Sequence, residues 1–180
     1  MKFVWITFAC FSLILAEIPK ASQYKIELET YLKAMYEHNF SMLEVYTTDE
    51  EKVEKGGDPQ GFQTYLAQQA EALRASQSHI TDLTIQEAHS YVETEKYAFF
   101  LVEVDYVKTV YGRDFELKHL FMGVRDLVSP SWRFINTSKY GRKKMQQFYE
   151  ELPTSLAQQI RELPPQKIFN HRGEELRPQL

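Results

Sequence analysis

The sequence predicts an α+β fold in which N-terminal helices, an antiparallel sheet and extra C-terminal helices follow one another. Apolar residues recur at helical spacing up to about residue 75, alternate with polar residues from about 80 to 138, and return to helical spacing afterwards. This grouping of helices and strands is typical of α+β proteins and differs from the βαβ alternation of parallel sheets. With 180 residues, 43% of them apolar, the chain can bury the core of a single domain, which we place at residues 17–163.

The first sixteen residues differ in character from the rest. Lys2 is followed by an uncharged run from Phe3 to Ala16, and Glu17 ends it. Such a run is typical of a secretory signal peptide, and it is shorter than the ~20 residues that a membrane-spanning helix needs. We therefore predict a signal peptide at residues 1–16 and a protein exported to the bacterial periplasm or the extracellular space. A retained membrane anchor is the alternative. After cleavage we expect no stable membrane span.

The next segment predicts two helices separated by a loop. From Tyr24 to Tyr46, apolar residues such as Leu28, Leu32 and Met35 recur at intervals of four and three, which predicts one long amphipathic helix. The polar, glycine-terminated run 47–57 predicts a solvated loop. Asp58 and Pro59 are typical of a helix start. Apolar residues that fall on one face of a helix then follow to about Ala75, which predicts the second helix.

After residue 76 the period changes to two, which predicts an antiparallel meander of four strands. We place these strands at residues 80–88, 97–111, 115–126 and 132–138, with short turns between the last three. In the second strand, Phe100, Val102, Val104 and Tyr106 occupy one wholly apolar face. Leu101, Glu103 and Asp105 occupy the other face.

Helical spacing returns at the C-terminal end. It predicts one helix around residues 145–152 and another over residues 156–163, which the prolines at 164 and 165 terminate. The remaining residues, 164–180, are mostly polar and predict an extended tail.

This order of elements supports a comparison with a known fold. A long helix, a loop, a shorter helix and strands ending in Trp132-Arg133-Phe134-Ile135 resemble the nuclear transport factor 2-like superfamily over about residues 24–138. The resemblance implies a cone-like shape, in which a curved sheet wraps the first helix around a conical pocket. The superfamily contains isomerases, dehydratases and non-catalytic binding modules, so the fold alone does not decide the function. The C-terminal helices lie outside this pattern and could cap the pocket, cover the sheet or mediate association.

No established catalytic or cofactor motif is present. The sequence lacks a glycine-rich phosphate loop and a Gly-x-Ser-x-Gly turn, and its five histidines never form an i, i+4 pair. The only cysteine, Cys10, lies inside the predicted signal. We therefore expect no metal and no organic cofactor. With a net charge of -4, the chain has no electrostatic attraction to nucleic acid.

The candidate site residues follow from the strand faces and from the resemblance. For an enzyme of the isomerase kind, the resemblance implies a carboxylate or histidine base in an apolar pocket, and the candidates are Glu103, Asp105 and His119. Their pattern favours a simpler interpretation: the two carboxylates face water and pair with cations such as Lys118, and His119 is a core histidine. The predicted ligand pocket consists of Tyr31, Met35, Phe100, Val102, Tyr106 and His119.

Two functions remain. The favoured prediction is an exported, non-catalytic domain that binds a small apolar ligand or a protein partner, in the pocket or on the sheet face; a homodimer is one such assembly. The alternative is a small pocket enzyme of the isomerase or dehydratase kind. An enzyme requires at least two ionisable groups inside one apolar cavity, which gives a criterion for the structure.

Overall fold

The computed structural model describes residues 21–160, 168–169 and 175–176. The fold is α+β, as predicted, with helices, a five-stranded antiparallel sheet and further helices in that order. The described elements are α1 (Ala21–Glu37), α2 (Phe40–Tyr46), α3 (Asp49–Gly56), α4 (Pro59–Ala75), β1 (His79–Ile85), β2 (His89–Glu93), β3 (Tyr97–Val110), β4 (Arg113–Asp126), β5 (Arg133–Asn136), α5 (Thr137–Phe148), α6 (Thr154–Ala157), β6 (Ile168–Phe169) and β7 (Glu175–Leu176). The predicted signal, residues 1–16, lies outside the described residues.

The prediction of a single helix from Tyr24 to Tyr46 is wrong, because the helix is interrupted between α1 and α2. His38 adopts a positive φ of 58°, and Asn39 caps α2 by accepting a hydrogen bond from the Met42 amide at 3.4 Å. An asparagine that bonds the backbone amide of a following turn starts a new helix. Both helices still contribute apolar residues to one core.

The loop predicted over residues 47–57 is also wrong. Most of this run forms α3, whose N-cap Thr48 accepts a hydrogen bond from the Glu51 amide at 3.3 Å. Three acidic residues occupy the first turn and Lys55 the last, an arrangement that complements the helix dipole. Polarity alone indicated a loop, whereas the capping pattern at Thr48 indicates a helix.

The sheet contains five strands where the sequence predicted four. β3 and β4 pair from Tyr97 opposite Asp126 to Val110 opposite Arg113, through a turn with positive φ at Tyr111 and Gly112. β5 pairs with the far side of β4, while β1 and the unpredicted β2 share the other edge of β3. The last strand is shorter than predicted, because α5 begins at Thr137.

Separate apolar cores cover the two faces of the sheet. The inner face, which includes Phe100 and Val102, packs against the N-terminal helices, for example against Leu28. On the outer face, Phe99 and Leu101 pack against α5 and α6, for example against Leu156. The C-terminal helices therefore cover the part of the outer face around Phe99 and Leu101. The predicted exposure of this face to water applies only to the part around Glu103 and Asp105.

The C-terminal elements differ from prediction in their bounds. α5 begins eight residues earlier than the predicted helix start at Met145 and contains a kink at Gly141, where φ is 71°. α6 is a single turn, and the predicted helix over residues 156–163 is not continuous even within the described part. Most of the predicted tail, residues 164–180, lies outside the described residues, apart from the paired β6 and β7. Among the described helices, none has the length and apolar character needed to cross a bilayer.

Candidate functional site

A cavity of about 150 Å³, partly open to solvent where the exposed Gln69 lines it, lies between the N-terminal helices and the inner face of β3; we call it the interior cavity. Its apolar lining consists of Met35, Phe40, Leu43, Phe62, Leu66, Ala70 and Leu73. Its polar lining consists of Tyr31, Tyr36, Thr47, Lys55, Tyr65, Gln69 and Lys108. Two cations and no carboxylate therefore line the cavity.

The short connection between α3 and α4, which we call the α3–α4 corner, positions one wall of this cavity. α3 ends at Gly56, and α4 begins after Asp58, whose side chain accepts a hydrogen bond from the Gly61 amide at 2.7 Å. Neither Gly56 nor Gly61 has room for a Cβ, because each would overlap backbone atoms of the other side of the corner. This approach places the Lys55 ammonium group 5.2 Å from the centre of the Tyr65 ring.

The charge of Lys55 is already compensated within the protein. Lys55 forms an ion pair with Glu51, whose side chain is only 2% exposed. The same Oε1 atom of Glu51 accepts a hydrogen bond from the Tyr140 hydroxyl at 3.0 Å. Burial and the nearby Glu51 carboxylate raise the pKa of Tyr31 well above its usual value, so this hydroxyl remains protonated.

Lys108 has a different environment. It lies on the inner face of β3, is half-buried, and has its ammonium group 6.0 Å from the centre of the Tyr36 ring. None of the ion pairs among the described residues involves Lys108. Desolvation lowers the pKa of this ammonium group. One of the two cavity cations thus has no carboxylate partner in the described part of the chain.

A chain of polar groups extends from the cavity wall into the sheet. The Tyr36 hydroxyl interacts with that of Tyr106, which lies 2.9 Å from Nδ1 of His119. The Asn136 side-chain amide lies 3.0 Å from the same Nδ1 atom. Burial raises the pKa of Tyr36 to about 12, and burial together with the Lys108 charge lowers the pKa of His119. His119 is therefore biased toward its neutral form, which can accept a proton.

The structure brings together part of the predicted ligand pocket. Tyr31 and Met35 line the interior cavity. Tyr106 and His119 do not line it, but they are connected to it through the Tyr36 hydroxyl. Phe100 and Val102 are fully buried elsewhere in the inner core and are not among the cavity-lining residues. The ring of Phe100 is held between Tyr24 and Trp132, with centroid distances of 5.0 and 4.6 Å.

The three predicted catalytic candidates do not form one site. Glu103 lies on the outer face and pairs with Lys118 at 2.6 Å, both side chains being exposed. Asp105 lies on the same face and accepts a hydrogen bond from Gln86 at 2.9 Å. His119 lies on the inner face, because its register partner is Val104. By register the two carboxylates lie on the opposite face of the sheet from the histidine, although Glu103 and His119 both line one groove.

The prediction from sequence did not include Lys108, the residue that most distinguishes the cavity. Its position on β3 carries a signal, because it continues the inner-face series of Val102, Val104 and Tyr106 at a spacing of two. A lysine in that series has to lie against the helix layer. Lys55 and Glu51 had no such signal, because they belong to the run that was predicted to be a loop.

Two further surface depressions are more polar. A groove of about 470 Å³ includes Glu103, Lys118 and His119, and a cleft of about 170 Å³ includes Asp49 and Arg133. Glu103 pairs with Lys118 in the groove, and Asp49 pairs with Arg133 in the cleft. In the part of the chain that the structure describes, no group of three or more His, Cys, Asp or Glu side chains could hold a metal ion.

Comparisons with known proteins give little further information. No family model matches the sequence, and no curated protein matches it. A similar solved structure is a nuclear transport factor 2-like protein from Streptomyces avermitilis, provisionally described as a dehydratase. It is 12% identical, with a TM-score of 0.37, over 63% of this chain and 90% of that chain.

Proposed function

We propose that this protein is a binding domain that holds a small, largely apolar ligand in the interior cavity. The observation that supports this proposal is the cavity itself, about 150 Å³ of space between the helices and the sheet, lined largely by aromatic and aliphatic side chains. Protein interiors are normally close-packed, and a void loses the dispersion contacts that a bound molecule restores. An apolar cavity of about 150 Å³ accepts a molecule the size of a benzene ring.

We also propose a distant kinship with the nuclear transport factor 2-like superfamily. Its support is the order of the elements and the position of the cavity between the first helix and the long antiparallel strands. The extra helices α5 and α6 would then be an addition on the outer face.

The ligand is more plausibly located in the cavity than on the sheet face. Phe99 and Leu101, which would contribute to an aromatic docking surface, are covered by α5 and α6 of the same chain. The outer surface that remains around Glu103 and Asp105 is polar and internally paired. A protein partner or a homodimer at this face therefore has less support than a ligand in the cavity.

One observation favours the enzymatic alternative. The Tyr36–Tyr106–His119 chain connects the cavity wall to a histidine whose lowered pKa keeps it neutral, the form that can accept a proton. In an isomerase or dehydratase, the Tyr36 hydroxyl would take a proton from the substrate as it passes its own proton to Tyr106. Tyr106 would pass its own proton to His119 in the same way. Glu103 and Asp105 have no place in this scheme, because they lie on the other face of the sheet.

Cavity binding can be tested with the chain that starts at Glu17. Ligand-observed NMR with toluene, an uncharged molecule of ring size, should show saturation transfer to the wild type. Ala70→Phe fills the cavity from α4 and should abolish the signal. Ala67→Phe is the matched control, because Ala67 lies one turn earlier on the exposed side of α4. Equal signals from the two variants would contradict binding in the cavity.

We propose in addition that the domain acts after export, on the basis of the signal-like segment 1–16. Intact-mass analysis of the protein recovered from the periplasm or culture medium of a bacterial host should give the mass of the chain beginning at Glu17. Recovery of the uncleaved chain in the membrane fraction would support the anchor instead.

A further inference from the structure

We infer that the ligand of the interior cavity is a small monocarboxylic acid with a ring-sized or branched apolar body, its carboxylate paired with Lys108. This inference rests on the proposed function, and it adds the chemical class of the ligand and the residue that recognises it. The argument depends on the charges in the cavity, on the position of Lys108 and on the available volume.

The charges lining the cavity are complementary to one anion. The lining contains Lys55 and Lys108 and no acidic side chain. Lys55 is paired with the buried Glu51, so its charge is satisfied by the protein. Lys108 is the remaining cation, and it forms no ion pair among the described residues. A single unpaired positive charge selects a single negative charge, because a dianion would bring a second charge without a partner.

Lys108 is also in a position to bind an anion from within the cavity. It is half-buried on the inner face of β3, and its ammonium group lies 6.0 Å from the centre of the Tyr36 ring. Tyr36 lines the same cavity, and its hydroxyl remains protonated, so it can donate a hydrogen bond to an anion near Lys108. A carboxylate there would receive one ionic and one neutral hydrogen bond.

The remaining walls define the body of the ligand. Phe62, Leu66 and Leu73 of α4 form an apolar part of these walls, to which Tyr65 and Gln69 of the same helix add polar groups. The volume of about 150 Å³ limits the ligand to roughly one ring or a short branched chain. Benzoate has this size and charge and is a suitable probe. Benzamide has nearly the same shape without the charge.

Isothermal titration calorimetry should compare benzoate and benzamide with the wild type, Lys108→Met and Lys118→Met. Methionine retains an unbranched apolar side chain of similar length, and Lys118→Met makes the same change of net charge on the outer face of β4. We expect wild type and Lys118→Met to bind benzoate at least tenfold more tightly than benzamide. Lys108→Met should lose this preference while it still binds benzamide. Lys108→Gln should behave in the same way, and far-UV circular dichroism should show that each variant is folded.

The possible outcomes separate this inference from the proposed function. If benzamide and toluene bind but benzoate has no advantage, or if Lys108→Met retains that advantage, the cavity binds ligands and the monocarboxylate inference is wrong. If neither probe nor toluene binds the wild type, and Ala70→Phe behaves as the wild type does, the proposed function itself is wrong. A preference for benzoate that depends on Lys108 and is abolished by Ala70→Phe supports both.

Discussion

Phe100 and Gly123 form a close contact on the inner face of the sheet. They are register partners on β3 and β4, and a Cβ at position 123 would overlap the Phe100 ring. The ring cannot move aside easily, because it is fully buried and packed against Tyr24, Trp132 and Phe134. An aromatic side chain here requires glycine on the neighbouring strand, so the two residues depend on each other.

Gly123→Ala should therefore destabilise the protein. We expect the free energy of unfolding to fall by about 1–3 kcal/mol, the usual cost of overpacking a core. Urea denaturation followed by circular dichroism measures this change. The double variant Gly123→Ala with Phe100→Leu provides the control, since the smaller side chain leaves room for the methyl group. The loss of stability in the double variant should be smaller than the sum of the losses in Gly123→Ala and Phe100→Leu measured singly. If the two single losses add up to that of the double variant, the contact with Phe100 is not the cause.

His119 should make stability depend on pH. Burial and the Lys108 charge hold its pKa below the ~6.5 of an unfolded histidine, so the unfolded chain takes up a proton first as the pH falls. The stability that neutral His119 contributes is complete above about pH 6.5 and decreases from there toward the lower, folded-state pKa.

This pH dependence is measurable by urea denaturation between pH 5 and pH 8. The decrease in the free energy of unfolding below pH 6.5 should be shallower for His119→Gln than for the wild type. His79→Gln is the control, because His79 is exposed on β1. Parallel profiles for wild type and His119→Gln would mean that another group causes the decrease.

At the scale of elements, the corner between α3 and α4 controls one wall of the interior cavity. A Cβ at Gly61 would overlap the carbonyl group of Gly56, and no side-chain rotation can relieve a clash with backbone. Alanine normally gains about 1 kcal/mol over glycine inside a helix. The sign of the Gly61→Ala effect therefore shows which contribution is larger.

We expect the clash to dominate, so that Gly61→Ala lowers the free energy of unfolding by about 1–3 kcal/mol. It should also weaken toluene binding, since the corner positions Lys55, Phe62 and Tyr65 around the cavity. Thermal unfolding and the NMR experiment above provide the two measurements. Gln60→Ala, at an exposed neighbouring position, should change neither. A stabilised Gly61→Ala variant would show that α3 and α4 can separate without cost.

Most elements could be predicted from the sequence because their periodicity is local. β3 and β4 alternate over their length, and α4 carries both a capping aspartate and an apolar stripe. The errors occurred where two signals conflict. Apolar spacing continues through Asn39 although its side chain caps α2, and polarity hides the helix that Thr48 starts.

The candidate site was predicted less completely, because it depends on which elements meet. Of the predicted pocket residues, Tyr31 and Met35 line the interior cavity. Lys108 comes from a strand and Lys55 from a helix that was not predicted, so no local pattern joins them.

At the scale of the whole molecule, one sheet serves two cores. The inner core includes Trp132 and the N-terminal helices, and the outer core includes Leu156 and the C-terminal helices. β3 and β4 contribute alternate residues to both, for example Phe100 to the inner core and Leu101 to the outer. A loss of packing on one face therefore removes support from the strands on which the other face depends.

We accordingly predict that the two cores unfold together. Leu156→Ala removes a fully buried side chain from the outer core and should cost about 2–5 kcal/mol. In the chain from Glu17, Trp132 is the only tryptophan, so its fluorescence reports on the inner core. The urea midpoints measured by fluorescence and by far-UV circular dichroism should decrease equally in this variant, as they should in Leu28→Ala of the inner core. If Leu156→Ala leaves the fluorescence midpoint in place while part of the circular dichroism signal is lost early, the C-terminal helices form a unit that unfolds separately.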